Sequence, residues 1–415
     1  MKHVIIGNGP AGVVAAEALR RADPAAEIVL IGDEPEPPYS RMAIPYLLTG
    51  DIDEQGTYLR KDAAHFEHLG IRLVQARAEK VDGKGRSVTL SNGVRLAFDR
   101  LLVATGSHPL RPEIPGVDGA NVHPCWTLAD ARAIAAKTKP GTRVVQLGAG
   151  FIGCIIMQSL AARGVKLSVV EMGDRMVPRM MTATAGGLIR RWVENKGVSV
   201  LVNARAQAID PAANGTMRVR LSNGQTLECD LVISATGVRP NIAFLEGSGV
   251  AVSDGVLVDE HMQSSVAAIY AAGDVTQCTG FHSGRPVLNA IQPNAADQAR
   301  IAAANMTGKQ TAAQGSLAIN VLDSVGLISS SFGQWQGAPD GEGVELVDEA
   351  AFRYLSLQFK DDVLVGATSI GWTDHVGALR GLIQGRVRLG GWKARLLQDP
   401  TQFMAAYLAA AQKAA

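Results

Sequence analysis

Three glycines near the start of the chain have the spacing of a phosphate-binding turn. Gly7, Gly9 and Gly12 form a G-x-G-x-x-G pattern between an apolar run at 4–6 and a helical pattern over 13–22. The first glycine permits a tight bend, the second lets the backbone approach a pyrophosphate, and the third lets the helix pack against the strand. The N-terminus of the following helix then offers N–H groups and a partial positive charge to the phosphates.

Two acids complete this pattern. The next strand, predicted over 27–31, ends beside Asp33 and Glu34. A carboxylate about twenty residues after the glycines accepts hydrogen bonds from the hydroxyls of an adenosine ribose. A glycine-rich turn alone is common, but strand, turn, helix, strand and acid in this order predict a dinucleotide site rather than an ordinary connection.

The same order of features returns later in the chain. A strand predicted over 142–147 leads into Gly148, Gly150 and Gly153, and the strand after the next helix ends at Glu171. A carboxylate at this position accepts hydrogen bonds from both hydroxyls of an adenosine ribose and repels a 2′-phosphate. In a site for a nicotinamide dinucleotide, this acid predicts a preference for NADH over NADPH.

Both units continue in the same way after their acids. Alternating apolar and polar residues over 71–96 and 198–227 predict two antiparallel meanders. Each meander leads to a buried strand that ends in Ala-Thr-Gly, at 104–106 and at 235–237. Two ordered sets of matching features predict two dinucleotide-binding domains.

The remaining segments have weaker signals. Prolines over 34–50 predict a stiff loop without regular structure, and 61–69 has the pattern of a short helix. His65 and His68 lie on that helix without a third ligand nearby, so we expect surface histidines and no metal site.

The last part of the chain differs from the two repeats. A strand ending in Gly-Asp is predicted over 268–275, followed by a helix from about 295. Paired strands over 353–359 and 363–370, then an alanine-rich helical tail after 400, predict a small α+β domain.

Composition limits the class of protein. A length of 415 residues favours two or three domains, and the net charge of +1 gives no electrostatic case for nucleic acid or an anionic membrane. No apolar run is long enough to span a membrane. Because a strand is predicted to start by residue 4, we expect no signal or transit peptide. The scattered cysteines have no C-x-x-C or metal spacing, which predicts reduced thiols and a cytoplasmic protein. They are Cys125, Cys154, Cys229 and Cys278, the last in a predicted loop.

These motifs, together with Tyr-Ala-Ala-Gly-Asp-Val at 270–275, resemble the pyridine nucleotide–disulfide oxidoreductases that bind FAD and NAD(P)H. The resemblance covers essentially the whole chain. The branch that it is most similar to contains NADH-dependent rubredoxin and ferredoxin reductases, nitrite reductase flavin domains and coenzyme A disulfide reductases. It implies an α/β fold with two Rossmann-like dinucleotide-binding domains, glutathione-reductase-like, and a small C-terminal α+β domain of the interface type. The implied segments are 1–118 and 247–313 for FAD, 119–246 for NAD, and 314–415 for the C-terminal domain.

The resemblance also implies which residues contact each cofactor. The first glycine turn would bind the FAD pyrophosphate, Asp33 the ribose, and Asp274 the ribityl chain. The FAD residues are Gly7, Gly9, Pro10, Ala11, Gly12, Asp33, Glu34, Arg41, Tyr46, Ala78, Ala104, Thr105, Gly106, Gly273, Asp274, Gln292 and Pro293. The residues for NAD(H) are Gly148, Gly150, Phe151, Ile152, Gly153, Glu171 and Gly237.

Several positions depart from the family pattern. Met42 stands where the disulfide reductases carry their redox cysteine, so we expect no thiol in turnover. Tyr46 replaces a lysine near flavin N5, and Ile155 replaces the glutamate that pairs with it. Losing both is physically coherent, because losing one would leave an unpaired buried charge. Trp126 replaces an arginine that contacts an FAD phosphate in the family. No side chain is assigned as catalytic, and Tyr46 is expected only to lie near the flavin.

These features favour an FAD enzyme that takes hydride from NADH and passes electrons to a small iron–sulfur or rubredoxin-type protein. A second hypothesis is an NADH-responsive redox sensor resembling apoptosis-inducing factor, which the missing lysine–glutamate pair favours. A third, a membrane NADH–quinone reductase, is weakened by a C-terminal helix poor in basic residues. The interface-type domain favours a homodimer.

Overall fold

The computed structural model describes residues 1–414 and divides into two compact units. Unit 1 contains Met1–Ala43, Ile52–His108 and Val238–Leu317. Unit 2 contains Ile44–Asp51, Pro109–Gly237 and the described residues from Ala318 onward. The chain thus leaves unit 1 for a short segment at 44–51. The assignment of four segments to particular cofactors stays a prediction.

The helices and strands are numbered in chain order. The helices are α1 (Pro10–Ala22), α2 (Ile44–Thr49), α3 (His65–His68), α4 (Leu128–Lys137), α5 (Phe151–Ala162), α6 (Ala183–Asn195), α7 (Gln292–Met306), α8 (Val376–Gln384), α9 (Gly391–Gln398) and α10 (Phe403–Ala414). The strands are β1 (Lys2–Ile6), β2 (Glu27–Gly32), β3 (Ile71–Gln75), β4 (Ala78–Asp82), β5 (Ser87–Leu90), β6 (Arg95–Ala97), β7 (Arg100–Val103), β8 (Ser107–Pro109), β9 (Val122–Pro124), β10 (Arg143–Leu147), β11 (Lys166–Val170), β12 (Ser199–Leu201), β13 (Ala206–Pro211), β14 (Met217–Leu221), β15 (Thr226–Cys229), β16 (Leu231–Ser234), β17 (Val238–Pro240), β18 (Val256–Leu257), β19 (Ile269–Ala271), β20 (Thr276–Thr279), β21 (Pro286–Val287), β22 (Ile319–Ser324), β23 (Leu327–Gly333), β24 (Glu342–Asp348), β25 (Arg353–Lys360) and β26 (Val363–Ile370).

Unit 1 is built on a parallel sheet with the order β19-β7-β1-β2-β3. Alternate residues of β1 enter different cores, with Ile5 facing α1 and α7 and Val4 facing the meander β4-β5-β6. Both faces of the sheet are therefore covered, which explains why its strands are apolar throughout. Buried alanines on α1 and α7 keep the helix surfaces small and let both helices pack on the same face.

Unit 2 repeats this plan with the parallel order β12-β11-β10-β16-β9 and the meander β13-β14-β15. It also contains the antiparallel sheet β22-β23-β26-β25-β24 and the helices α8 to α10. The paired strands predicted over 353–359 and 363–370 are confirmed, with Asp361 at a positive φ of 51° in the turn. The expected α/β class with two Rossmann-like domains is confirmed.

Three local predictions were wrong, and a fourth was confirmed with narrower bounds. Residues 44–49 form α2 because Pro45 lies in the first helical turn, where its missing N–H is not needed. Only 65–68 of the segment 61–69 is α-helical. The first strand of each predicted meander, β3 or β12, instead pairs in parallel with β2 or β11. Alternation of polar and apolar residues does not reveal the partner, because an edge strand of a parallel sheet also exposes one face.

Candidate functional site

The two glycine turns have nearly the same backbone conformation. The φ of Gly7 is 108° and that of Gly148 is 103°, a region that side chains with a Cβ rarely adopt. Gly9 and Gly150 each stand at the N-cap of the next helix, with φ of −73° and ψ of −171° or −172°. The repeat predicted from the sequence is therefore a repeat of turn geometry.

The first and third glycines are required by close backbone packing. A Cβ on Gly7 would lie 2.1 Å from the carbonyl oxygen of Ala104, and one on Gly148 would lie 2.3 Å from that of Ala235. Each turn is thus pressed against the Ala-Thr-Gly segment of its own unit. A Cβ on Gly12 or Gly153 would lie within 2.4 Å of the carbonyl oxygen of the first glycine.

The middle glycine of each turn faces open space instead. Apart from the glycine itself and its chain neighbours, no described atom lies within 4 Å of a Cβ placed on Gly9 or on Gly150. The turn therefore leaves a cradle beside the first N–H groups of α1 or α5, of the kind that accepts a pyrophosphate. Both turns fit a dinucleotide on this ground.

The predicted FAD residues of unit 1 meet around the start of α1. A Cβ on Gly273 would lie 3.2 Å from the Cβ of Ala11 and 3.5 Å from that of Ala295 on α7. The N–H of Gly273 donates to the side chain of Gln298 at 2.8 Å. The structure thus brings the Gly-Asp pair at 273–274 to the first glycine turn, across some 260 residues of sequence.

Asp274 lies in a mostly buried position within this cluster. Burial raises the pKa of its carboxyl group, while a hydrogen bond from Ser107 and the charge of Arg41 act in the opposite direction. The Ser107 hydroxyl donates to the carboxylate at 3.3 Å. A carboxyl group held this way accepts hydrogen bonds well, as expected for the ribityl hydroxyls of FAD.

Arg41 is held by a neighbouring acid. Its guanidinium lies 2.5 Å from the carboxylate of Glu34 and donates to the hydroxyl of Tyr39 at 2.9 Å. The Tyr39 hydroxyl in turn donates to Glu34 at 2.5 Å. Asp33 is exposed at the end of β2. Glu34 therefore orients the Arg41 guanidinium, whose charge acts on Asp274. The role of Asp33 as a ribose contact stays a prediction.

Further predicted FAD residues of unit 1 lie in the first turn of α7 and at the start of β4. The Ser40 hydroxyl donates to Gln292 at 3.1 Å, which ties the loop before Arg41 to the first turn of α7, where Pro293 also lies. Ala78 is buried at the start of β4.

Three residues that support the site in unit 1 were not predicted from the sequence. Asn241 bridges the Ala-Thr-Gly turn, since its amide donates to the Thr105 carbonyl at 2.8 Å and its N–H to that of Gly106 at 3.0 Å. Ser107 and Gln298 hold Asp274 and Gly273. Only Ser107 had a local signal, because it directly follows the turn.

Glu171 is nearly buried beside the second turn. One carboxylate oxygen accepts the N–H of Ala149 and the other accepts that of Gly173, both at 2.7 Å. Phe151 and Ile152 are half-buried in the first turn of α5, and Gly237 lies against Leu110 with a φ of 122°. The predicted nucleotide residues of unit 2 therefore come from the edge of the sheet where β10, β11 and β16 end.

The acids of the two units are one position apart. The N–H of Gly7 donates to the carbonyl of Ile31 at 2.8 Å, as the N–H of Gly148 does to that of Val170 at 2.7 Å. Gly32, not Asp33, therefore corresponds to Glu171. A Cβ on Gly32 would lie 2.2 Å from the side chain of Asn8. In unit 1 a side chain from the turn fills the space that Glu171 fills in unit 2.

The positions that depart from the family pattern lie in different surroundings. Tyr46 is 58% exposed on α2 and Met42 is 48% exposed. Within unit 2, α2 is held by α5, because Ser159 donates to the Pro45 carbonyl at 3.2 Å and Arg163 to that of Leu48 at 2.8 Å. Ile155 lies one helical turn before Ser159 on α5. Positions 46 and 155 thus belong to one pair of packed helices.

The four cysteines are buried, and burial disfavours their thiolate form. Burial raises the pKa of the thiols of Cys125, Cys154 and Cys229 to about 12, and it also raises that of Cys278. Cys278 lies in β20 and not in a loop, so its predicted position was wrong. A thiolate is the nucleophilic form, and buried apolar surroundings suppress it.

The His65 ring forms a hydrogen bond of 2.9 Å with the Glu17 carboxylate. No group of three metal-binding side chains occurs among residues 1–414.

Two parallel sheets, each with a dinucleotide turn and an Ala-Thr-Gly segment, define an FAD- and NAD(H)-dependent oxidoreductase. The family model described as pyridine nucleotide-disulphide oxidoreductase matches residues 1–304, and the chain belongs to this family. FAD and NAD(H) as cofactors and an oxidoreductase activity are confirmed.

Similar proteins cover most of the chain. It is 30% identical to the NADH-dependent phenylglyoxylate dehydrogenase subunit epsilon of Aromatoleum evansii, over 96% of this chain and 95% of that one. It is 34% identical to the ferredoxin–NAD(+) reductase component of the anthranilate 1,2-dioxygenase system of Burkholderia cepacia, over 74% and 76%. The ferredoxin reductase for the CYP199A2 system from Rhodopseudomonas palustris has a TM-score of 0.82 and 27% identity, over 89% and 91%.

The comparisons favour electron transfer over the sensor hypothesis, because the relatives are named as reductases and dehydrogenase components. No helix of the part of the chain that the structure describes is long and apolar enough to cross a membrane. The roles of individual cofactor-binding residues stay predictions.

Proposed function

We propose that this protein oxidises NADH and passes the electrons to a small iron–sulfur or rubredoxin-type protein. The observation that carries the proposal is that all four thiols are buried in a chain with two intact dinucleotide turns. With every cysteine buried and every thiol pKa raised, no thiolate is ready to relay electrons to a disulfide substrate. The acceptor must then take electrons from the flavin directly. The named ferredoxin–NAD(+) reductase relatives support this acceptor class.

Residues of this chain would hold the two cofactors separately. The N–H groups of the first turn would bind the FAD pyrophosphate, and Asp274 would accept hydrogen bonds from the ribityl chain. Arg41, oriented by Glu34, would neutralise phosphate charge. The second turn and Glu171 would hold NADH. Bound FAD supplies the conversion of a two-electron hydride into single electrons.

The test is steady-state reduction of purified carriers by NADH. We expect reduction of a [2Fe–2S] ferredoxin or a rubredoxin, followed by its absorbance or by coupled cytochrome c reduction. Coenzyme A disulfide and glutathione disulfide serve as controls, and neither is expected to be reduced. Efficient turnover of a disulfide with no reduction of any iron protein would contradict the proposal.

A second candidate is a subunit of a larger NADH-dependent dehydrogenase. The observation that favours it is the match to subunit epsilon of such an enzyme, which spans almost the full length of both chains. Here the acceptor would be an iron–sulfur subunit of the same complex. Isolation of the tagged protein from its source distinguishes the two, because a subunit would copurify with fixed partners and a free reductase would not.

We also propose that the protein works in the cytoplasm as a homodimer. Reduced cysteines support the first part, since disulfides rarely persist in that compartment. The separate antiparallel sheet of unit 2 is the surface from which we expect dimers to form. We expect light scattering of the yellow, FAD-bound protein to give a mass near twice the 43.6 kDa of one chain.

A further inference from the structure

The side chain of Gln146 is fully buried on β10 beside the second glycine turn. Its Nε2 donates to the carbonyl oxygens of Gly148 and Gly153, both at 2.9 Å. Because carbonyl oxygens only accept hydrogen bonds, the amide nitrogen and not the amide oxygen must face them. One side chain thus joins the first and third glycines of the turn.

The Gly148 carbonyl belongs to the peptide group that holds Glu171. In a planar trans peptide the C=O of Gly148 and the N–H of Ala149 point in opposite directions within one plane. This N–H donates to the Glu171 carboxylate at 2.7 Å. A donor on the carbonyl side therefore fixes the orientation of the N–H that holds the acid.

The turn itself does not need this amide. Ile5 occupies the corresponding position in unit 1, where Gly7 adopts nearly the same φ as Gly148. The amide also carries a cost, because Gln146 Oε1 is buried without a hydrogen-bond partner among the described residues. A glutamine that the turn can do without, and whose oxygen is unpaired, points to a function for its two N–H donors.

We propose that Gln146 is a positioning residue for nucleotide selection. It holds the Gly148–Ala149 peptide so that the Glu171 carboxylate keeps the orientation that accepts the ribose hydroxyls of NADH and repels the 2′-phosphate of NADPH. Unit 1 has neither the amide nor an acid at Gly32, so the two features occur together in one unit and are missing together in the other. The proposal concerns the electron donor and is independent of which acceptor the protein uses.

The test replaces the donors at nearly constant size. Gln146→Leu removes both N–H donors and the unpaired oxygen, and Gln146→Met is a second variant of the same length. In the yellow holoprotein, with ferricyanide as acceptor, we expect the NADH to NADPH ratio of kcat/KM to fall about threefold to tenfold. The change should arise in KM, with kcat at saturating NADH and the FAD content unchanged.

Binding without turnover gives a second readout. Calorimetric titration with ADP-ribose and with its 2′-phosphate should show the same loss of discrimination in the Gln146 variants. Val145→Ala is the matched control, because Val145 is buried on the other face of β10 and contacts the meander. Val145→Ala should lower the melting temperature. It should leave unchanged both the NADH to NADPH ratio of kcat/KM and the ratio of affinities for ADP-ribose and its 2′-phosphate.

An unchanged ratio in both Gln146 variants, with FAD retained, would overturn the proposal. Equal losses of discrimination in the Gln146 variants and in Val145→Ala would also overturn it, because loosening of the core would then be the cause. If no iron protein is reduced, the proposed function fails, but ferricyanide reduction and the titrations still test Gln146.

Discussion

Alanine at the middle glycine of each turn should separate the two cofactor sites. Gly9 and Gly150 have φ of −73° in extended backbone that alanine adopts without strain. Apart from the residue itself and its chain neighbours, no described atom lies within 4 Å of the added Cβ. Gly9→Ala and Gly150→Ala should therefore fold, with a free energy of unfolding of the apoprotein unchanged or raised by about 0.4–1 kcal/mol through the unfolded state. Any effect of these variants must then come from the bound phosphates.

The expected losses follow from the place of the methyl group. It occupies the open side of the turn, where phosphate oxygens would accept backbone N–H donors. Hydrogen bonds to charged groups contribute about 1.5–3 kcal/mol each, so losing one or two predicts affinities lower by about tenfold to ten-thousandfold. Gly9→Ala should purify with little FAD. Gly150→Ala should stay yellow, reach a normal flavin content, and show a raised KM for NADH.

The assay combines flavin content, circular dichroism and NADH–ferricyanide kinetics. Gly7→Ala is the contrasting variant, because its Cβ would lie 2.1 Å from the Ala104 carbonyl oxygen at a positive φ, so we expect it to misfold or melt earlier. Loss of FAD in Gly150→Ala with full FAD in Gly9→Ala would refute the assignment of the turns. Full retention of both cofactors by both variants would refute the cradle itself.

Three further predictions follow from buried groups. A variant with all four cysteines changed to serine should keep its flavin and most of its NADH–ferricyanide activity. In an NADH titration, the wild-type protein should take up two electrons per FAD. Uptake of four electrons would show a second redox centre. Glu171→Ala should lower the NADH to NADPH ratio of kcat/KM at least tenfold, measured at saturating ferricyanide; an unchanged ratio would mean that another group reads the ribose. Burial lowers the pKa of His3 in the folded protein from its ordinary value of 6.5. As the pH falls below 6.5, His3 is therefore protonated in the unfolded chain before it is protonated in the folded one. Stability should then fall by up to about 1.4 kcal/mol per pH unit. The shift in melting temperature between pH 7 and pH 5 should be smaller in His3→Leu than in the wild type. Equal shifts in the two proteins would show that His3 does not cause the loss of stability.

The sequence alone was sufficient for the repeated architecture. Gly7, Gly148 and the Ala-Thr-Gly segments are local signals, because turn geometry requires particular residue types at fixed spacing. Two strands of the C-terminal sheet, β25 and β26, were also predictable, since alternate residues over 353–359 are apolar and a polar turn follows at 360–362. The loss of the lysine–glutamate pair was visible only through the family resemblance.

The tertiary structure decided which distant segments meet. Gly273 lies against Ala11 because β19 and β1, far apart in sequence, end at the same edge of one parallel sheet. Asn241, which follows β17, bridges the turn at Thr105. Strand β3 joined the parallel sheet because pairing depends on which edge is free, which hydrophobic alternation does not encode.

The same limit applies to the second turn. Its sequence indicated that Glu171 follows a strand, but not that the carboxylate would be held by two backbone N–H groups. Gln146 carried no local signal, since a glutamine in a strand is ordinarily read as a position facing solvent. Its role depends on the closure of the turn over β10, where a buried donor can reach two carbonyl groups at once. Residue types and spacing determined where phosphates can bind, and packing across the sheet decided how the acid beside them is oriented.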